Sequence, residues 1–330
     1  MPTSSSALEK RQSAAPVANA RAQTTGSGGQ LAVILALLAL YLIWGSTYLA
    51  IRVAVETIPP FLMAGVRFIV AGGLMFLFLR WRGQPLPTRR QWGSAFIVGA
   101  LLLIGGNGLV SVAEQWVASS LAALMLATTP IWAALFAGIW GKWPVRVEWV
   151  GLALGFLGVG LLSLEGDMRA NPLGALLLLL AAGSWGLGSV VSARLTLPQG
   201  FMASAAQMLT AGAALLVAGL IGGERFDRPP STDSLIALTY LIFVGAIVAY
   251  SAFGYLLRTV RPALATSYAY VNPAVAVILG SILLSERVTW FGVAAMIVIL
   301  AGVAILAFVR TNKGAGTSPP TRDSEIAEAA

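Results

Sequence analysis

Two ionisable side chains fall where charge is expensive. Arg67 lies inside the apolar run "PPFLMAGVRFIVAGG" (59–73), and Glu114 closes "GGNGLVSVAE" (105–114). Charged groups inside a membrane span are rare, and by default they mark a functional site. Asn107, Ser111 and Glu114 follow at i, i+4 and i+7, which puts them on one helical face. Two readings are open. In one, Arg67 and Glu114 bind a charged or zwitterionic solute, or Glu114 exchanges a proton. In the other, they form a structural pair holding two helices together. A second constellation surrounds two prolines. "LAALMLATTPIWAALFAGIW" (121–140) and "LATSYAYVNPAVAVILGSILLSER" (264–287) each carry a proline beside polar residues: Thr128 and Thr129 before Pro130, Tyr268, Tyr270 and Asn272 before Pro273. A proline inside a helix removes a backbone donor and frees a carbonyl, which needs a partner in lipid. A matched pair of such hinges suits a central pathway better than two tolerated kinks. In the second segment Thr266, Tyr270 and Pro273 share one face, and Tyr268 and Asn272 the adjacent one.

The chemistry that remains is narrow. The chain has no Cys and no His, so thiolate, disulfide and imidazole chemistry is excluded, with the metal sites built from those ligands. No cofactor or metal and no catalytic residue is expected, and the chain does not read as an enzyme. Of 330 residues 58% are hydrophobic and 10% charged, against about 25% charged in soluble proteins. The chain reads as an integral membrane protein whose surroundings are the lipid bilayer. The net charge of +8 is assigned to cytoplasmic loops rather than to nucleic acid.

Apolar runs of about 20 residues mark spanning helices. Ten are expected, at roughly 31–55, 60–81, 91–114, 117–140, 146–164, 172–195, 199–221, 233–257, 262–284 and 288–309. The fold class is therefore all-α integral membrane. Residues 1–30 and 310–330 are expected to be disordered cytoplasmic tails. The positive-inside rule orients the bundle. Fifteen Lys and Arg fall on the N-terminal side of the spans, including Arg80, Arg82, Arg89, Arg90 and Arg194, against five on the other side. Both termini then face the cytoplasm.

The spans repeat. Trp44-Gly45 returns as Trp185-Gly186, Arg67 as Gln207, Asn107 as Tyr250 and Pro130 as Pro273, at offsets of 140 to 143. Five helices per copy is an odd number, so the second copy (172–309) enters the membrane upside down relative to the first (31–165). Inverted repeats are a usual construction of secondary transporters, in which two equivalent halves rock about a central site. The candidate pathway residues are Trp44, Thr47, Tyr48, Arg67, Asn107, Ser111, Glu114, Thr129, Trp185, Gln207, Tyr250, Tyr270 and Asn272, with Pro130 and Pro273 as hinges. Trp44 and Trp185, at equivalent depth, suggest an aromatic-walled cavity. Trp140, Trp143, Trp149 and Trp290 read as interfacial anchors. Gly151 and Gly155 form a small-residue packing motif. Glu224, Asp227 and Asp233 read as solvated loop acids.

The marks "YLIWGSTY" (41–48), "ALMLATTPIW" (123–132) and "LATSYAYVNPAVAVILG…LLSERVTWFG" (264–292) resemble the drug/metabolite transporter superfamily, with two EamA domains. The likeness covers about residues 31–309. It implies ten helices, an inner-membrane location and export of small metabolites, amino acids or drugs. EamA repeats commonly carry an acid before helices 5 and 10. Glu286 keeps it, whereas the region of Lys142 and Trp143 does not. No nucleotide-binding motif is present, so a gradient (with protons as one candidate) or exchange is the expected drive. The open alternatives are an importer or exchanger, a lipid-modifying enzyme and a channel. Oligomeric state is not legible.

Overall fold

A computed structural model of the chain describes residues 27–141, 143, 146–162, 171–259, 268–283, 285 and 289–315. The described residues fold as helices and their connections: α1 (Ser27–Ala54), α2 (Pro60–Trp81), α3 (Arg89–Ala113), α4 (Ser119–Ile139), α5 (Arg146–Leu162), α6 (Pro172–Ser192), α7 (Phe201–Ile221), α8 (232–259), α9 (Tyr268–Leu283) and α10 (Trp290–Ala315). Seven of these, α1–α4 and α6–α8, are long and apolar enough to cross a membrane among the described residues. The apolar parts of α9 and α10 are shorter, and α5, α9 and α10 border residues outside the described set. Large apolar side chains such as Leu77, Ile221 and Ile297 cover the outside of the bundle. A helical bundle with a greasy exterior is a multi-pass membrane protein, because lipid leaves every backbone group to be satisfied within its own helix.

Two helix ends differ from the hydropathy reading. α1 already includes Ser27–Gln30, and α10 continues to Ala315. Hydropathy marks where lipid ends. A helix stops where a breaker intervenes, and no proline follows α10 before Pro319.

The packing repeats as the sequence does. α2 packs on α7, α5 on α10 and α4 on α9, each helix against its own counterpart. The pairing of α1 with α9 is mirrored by α6 with α4, and that of α1 with α8 by α6 with α3. This is the contact pattern of a two-fold relation between the halves. Glycines set the self-pairings. A Cβ on Gly72 would lie 2.9 Å from the Leu209 nitrogen, and one on Gly212 would lie 2.8 Å from the Ile69 nitrogen. A Cβ on Gly302 would lie 2.9 Å from the Gly155 nitrogen, so the small-residue motif of α5 is the seat of α10. Between helices already in lipid no hydrophobic drive remains, and close backbone approach of this kind supplies the packing.

Sequence periodicity does not announce two features. α3 widens into a π-helix over Ala100–Gly108, and α8 does so over Leu241–Val248. Both segments are at the same place in their repeats. π-segments interrupt the 3.6-residue period and gather at functional sites.

Glu224 is not a solvated loop acid. Its Oε1 accepts from the Phe61 amide at 3.1 Å and its Oε2 from the Leu62 amide at 2.9 Å. α2 begins at Pro60 with no side-chain cap of its own, and a carboxylate from the α7–α8 loop satisfies the first-turn donors. Glu224→Gln is expected to cost about 1–2 kcal/mol, because one charged acceptor pair is lost. A thermal melt of the purified protein checks this: a fall of several degrees is expected, against no change for Asp227→Asn.

Candidate functional site

A cavity of about 750 Å³ opens in the middle of the bundle. α1 contributes Trp44, Thr47 and Tyr48, α2 contributes Arg67, and α3 contributes Asn107. Thr129 and Pro130 come from α4, Trp185 from α6, Tyr250 from α8, and Tyr268, Asn272 and Pro273 from α9. A strip of small residues (Ala133, Ala134, Ala137 and Ala193) continues to the C-terminal ends of α4 and α6, where Trp143 and Arg194 stand.

Each Trp-Gly pair does two jobs. Gly186 brings α6 against α4, where an added Cβ would lie 2.8 Å from the Ala133 nitrogen; Gly45 does the same for α1 against Val275 of α9. The tryptophans beside them turn inward and meet edge to face, with ring centroids 6.2 Å apart. Trp44 is the hub: Tyr268, Phe253 and Tyr250 surround it at 4.8, 5.2 and 5.5 Å. Its indole donates to the Gly245 carbonyl at 3.3 Å, inside the π-segment of α8. Aromatic pairs at this spacing add to packing beyond their buried area.

The prolines act differently in the two halves. α4 stops at Leu126 and restarts at Thr129, with Thr128 Oγ1 donating to the Met125 carbonyl at 2.6 Å. α9 keeps Pro273 inside a continuous helix. There the Asn272 amide, oriented to suit its neighbours, donates to the carbonyls of Tyr268 at 3.0 Å and Tyr41 at 3.3 Å. Polar residues beside each proline thus satisfy carbonyls close to the break.

Arg67 is the buried cation of the site, only 3% exposed. Its Nη1 donates to Asn107 Oδ1 across a long 3.4 Å, and its guanidinium stands 5.0 Å from the Phe68 ring centroid. Among the described residues neither Arg67 Nε nor the Tyr250 hydroxyl has a hydrogen-bond partner. Both line the cavity. Glu114 is fully buried beyond the cavity wall, within electrostatic range of Arg67. It ends α3, and its backbone carbonyl accepts from the Arg52 guanidinium.

Other positions singled out from the sequence lie elsewhere. Ser111 is buried and donates to the Asn107 carbonyl at 2.9 Å, so its hydroxyl is used within α3. Gln207 is buried outside the cavity lining, on the helix that packs against α3. The repeat is therefore asymmetric here: Arg67 reaches the cavity and its counterpart does not. The Tyr270 side chain, Thr266, Lys142 and Glu286 lie outside the described residues. Trp140, Trp149 and Trp290 are exposed, whereas Trp143, also exposed, flanks the cavity. Arg194, counted in the sequence only for topology, reaches the cavity and stacks on Trp140 at 4.4 Å. The alanine strip carried no signal, because small residues in membrane helices ordinarily mean packing.

Opposite the Arg194 end the cavity wall, at Ile51 and Val110, runs into an apolar cluster. Ile51 and Ala54 of α1 and Ile58 of the turn after it pack with Val110 and Ala113 of α3, Leu121 and Met125 of α4, and Leu241 of α8. A polar latch lies beyond them. Thr57 Oγ1 donates to Ser234 Oγ at 2.7 Å, Ser234 Oγ donates to the Val53 carbonyl at 2.9 Å, and the Ser231 amide donates to Thr57 Oγ1 at 3.0 Å.

The profile of the EamA-like transporter family matches residues 30–164 and again 172–308. The chain belongs to that family. Among curated relatives, the uncharacterized inner membrane transporter YedA of Escherichia coli K12 is 47% identical over 266 residues, covering 79% of this chain and 87% of that protein. The probable amino-acid metabolite efflux pump of Salmonella typhimurium is 26% identical over 81% of this chain and 91% of its own length. The uncharacterized transporter YdfC of Bacillus subtilis is 26% identical over 82% of this chain and 89% of its own. A crystal structure with 20% sequence identity superposes with a TM-score of 0.60 over 84% of this chain and 97% of its own, a likeness of fold alone. Family membership accounts for the doubled architecture: the first family domain places Trp44 and Pro130 on the cavity wall, and the second places their counterparts Trp185 and Pro273 there.

Proposed function

We propose that the protein is a carrier of small solutes in the bacterial inner membrane, working by alternating access about the central cavity. On this reading there are ten spans in two inverted five-helix repeats, and both termini are cytoplasmic. The cavity is then open toward the cytoplasm past Arg194 and sealed outside by the apolar cluster and the Thr57–Ser234 latch. The observation that carries the reading is a central cavity lined by residues of both halves, which make equivalent helix contacts. Exchanging the roles of the halves would open the sealed end and close the other, which is how inverted repeats generate two access states. The candidate lining from Trp44 to Asn272 forms the solute pathway, with the break at Pro130 in α4 and Pro273 within the continuous α9 as its hinges. The physiological direction on this reading is export. The efflux name of the Salmonella relative agrees with that direction.

Counterflow in proteoliposomes tests this. Solutes chosen from a growth screen of an overexpressing strain should exchange with saturation. Linear, non-saturating flux would replace the carrier with a channel.

A further inference from the structure

The cavity has a charge preference written into its walls. Arg67 stands at its depth and Arg194 where it ends, and no Asp or Glu is among the described residues that line it. Arg67 keeps an unpartnered Nε, and Tyr250 an unpartnered hydroxyl, both in side chains at least nine-tenths buried. Buried polar groups without partners are costly, and the cost is relieved when a ligand supplies them. A guanidinium presents its donors as a planar fork that fits a carboxylate. Arg67 lines the cavity and Glu114 does not, so the guanidinium is the nearer of the two charges to a bound solute. Around this spot the walls are aromatic and aliphatic, with Trp44, Trp185 and Tyr268 on one side and the alanine strip of α4 on another.

We propose that the cavity selects carboxylate-bearing solutes with an apolar body, the carboxylate seated on Arg67, Asn107 and Tyr250 and the body against Trp44 and Tyr268. Here the Asn107 amide donates after its carbonyl releases Arg67. Arg194 draws anions to the opening, since like-signed charges along a low-dielectric cleft raise the local anion concentration. An ammonium group finds no carboxylate partner among the described lining residues, so simple acids bind better than amino acids, and amines worst. This rests on the carrier reading and names the substrate class for it.

The test uses four solutes with one ring and different charge: 3-phenylpropionate, phenylalanine, 3-phenylpropan-1-ol and 2-phenylethylamine. Their binding to the full-length protein in lipid nanodiscs is measured with radiolabelled compounds. The expected order is acid tightest, then amino acid, then alcohol, with the amine last. Arg67→Gln should weaken the acid about 10- to 100-fold and move the alcohol by less than about 2-fold. Tyr250→Phe, which keeps the ring, should weaken the acid about 3- to 10-fold. Arg67→Lys keeps the charge and should retain the preference for acid over amine at reduced affinity, which covers the case in which Arg67→Gln does not fold. An amine bound as tightly as the acid overturns the proposal. So does no acid binding, or an acid affinity unmoved in Arg67→Lys and Tyr250→Phe. Saturable counterflow of another solute would leave the carrier reading standing while this assignment fails.

Discussion

Gly72→Ala and Gly212→Ala each lower the unfolding free energy by about 1–3 kcal/mol, and Gly73→Ala does not. The two glycines occupy matching positions where α2 crosses α7. A methyl group on Gly72 meets the Met208 Cβ at 2.8 Å and the Leu209 nitrogen at 2.9 Å. On Gly212 it meets the Ile69 nitrogen at 2.8 Å and the Gly65 oxygen at 3.1 Å. The obstacles are mostly backbone, so no side-chain rotation relieves the clash and the helices must separate. Gly73 lies one position round the same helix. Its added methyl group would touch only the Leu209 Cδ2, at 3.9 Å, while alanine gains helix propensity. Thermal melts of the three variants in one detergent decide the matter. Leucine at either crossing position should abolish recovery of monodisperse protein. An unchanged melt for Gly72→Ala would mean that the crossing is looser than described and that the two-fold packing does not hold the halves together.

The second large effect is on transport. Oxidation of Thr57→Cys/Ser234→Cys should stop flux completely, and a reducing agent should restore it. The two hydroxyl oxygens are 2.7 Å apart, and they tie the turn after α1 to the start of α8, beyond the apolar cluster at the far end of the cavity from Arg194. A carrier must open that side once per cycle, so a covalent bond there holds it in one state. The native chain has no cysteine, so the engineered pair is the only one that can form. Single-cysteine controls should keep most of their activity, because the hydrogen bonds they lose are worth about 1 kcal/mol each. Full flux in the oxidised pair would mean that this face does not open.

Much of this arrangement was legible in the sequence because duplication left landmarks. Trp44-Gly45 against Trp185-Gly186, and Pro130 against Pro273, are rare residues in register, and rare residues make offsets readable. Hydropathy then supplied the helices, since lipid demands long apolar runs. Other features depend on contacts that no local pattern encodes. Asn107 apart, the π-segments of α3 and α8 are sequences of ordinary apolar residues and glycine, which read as α-helix. Glu224 looks like any loop acid until α2 brings its bare N-terminus within reach. Arg67 and Gln207 share an offset, yet only Arg67 reaches the cavity. Ser111 has the spacing of a lining residue, but its hydroxyl turns back to its own helix. A single chain shows where polar groups fall along a helix. Which of them stay unsatisfied depends on packing.

Thr129 lines the cavity beside the break in α4, and in a chain without native cysteine it offers one clean reporter. Thr129→Cys should be labelled by a small membrane-impermeant methanethiosulfonate in inside-out vesicles and, separately, in right-side-out vesicles, and transported solute should protect it in both. Labelling confined to one face, whatever solute gradient is imposed, would contradict alternating access.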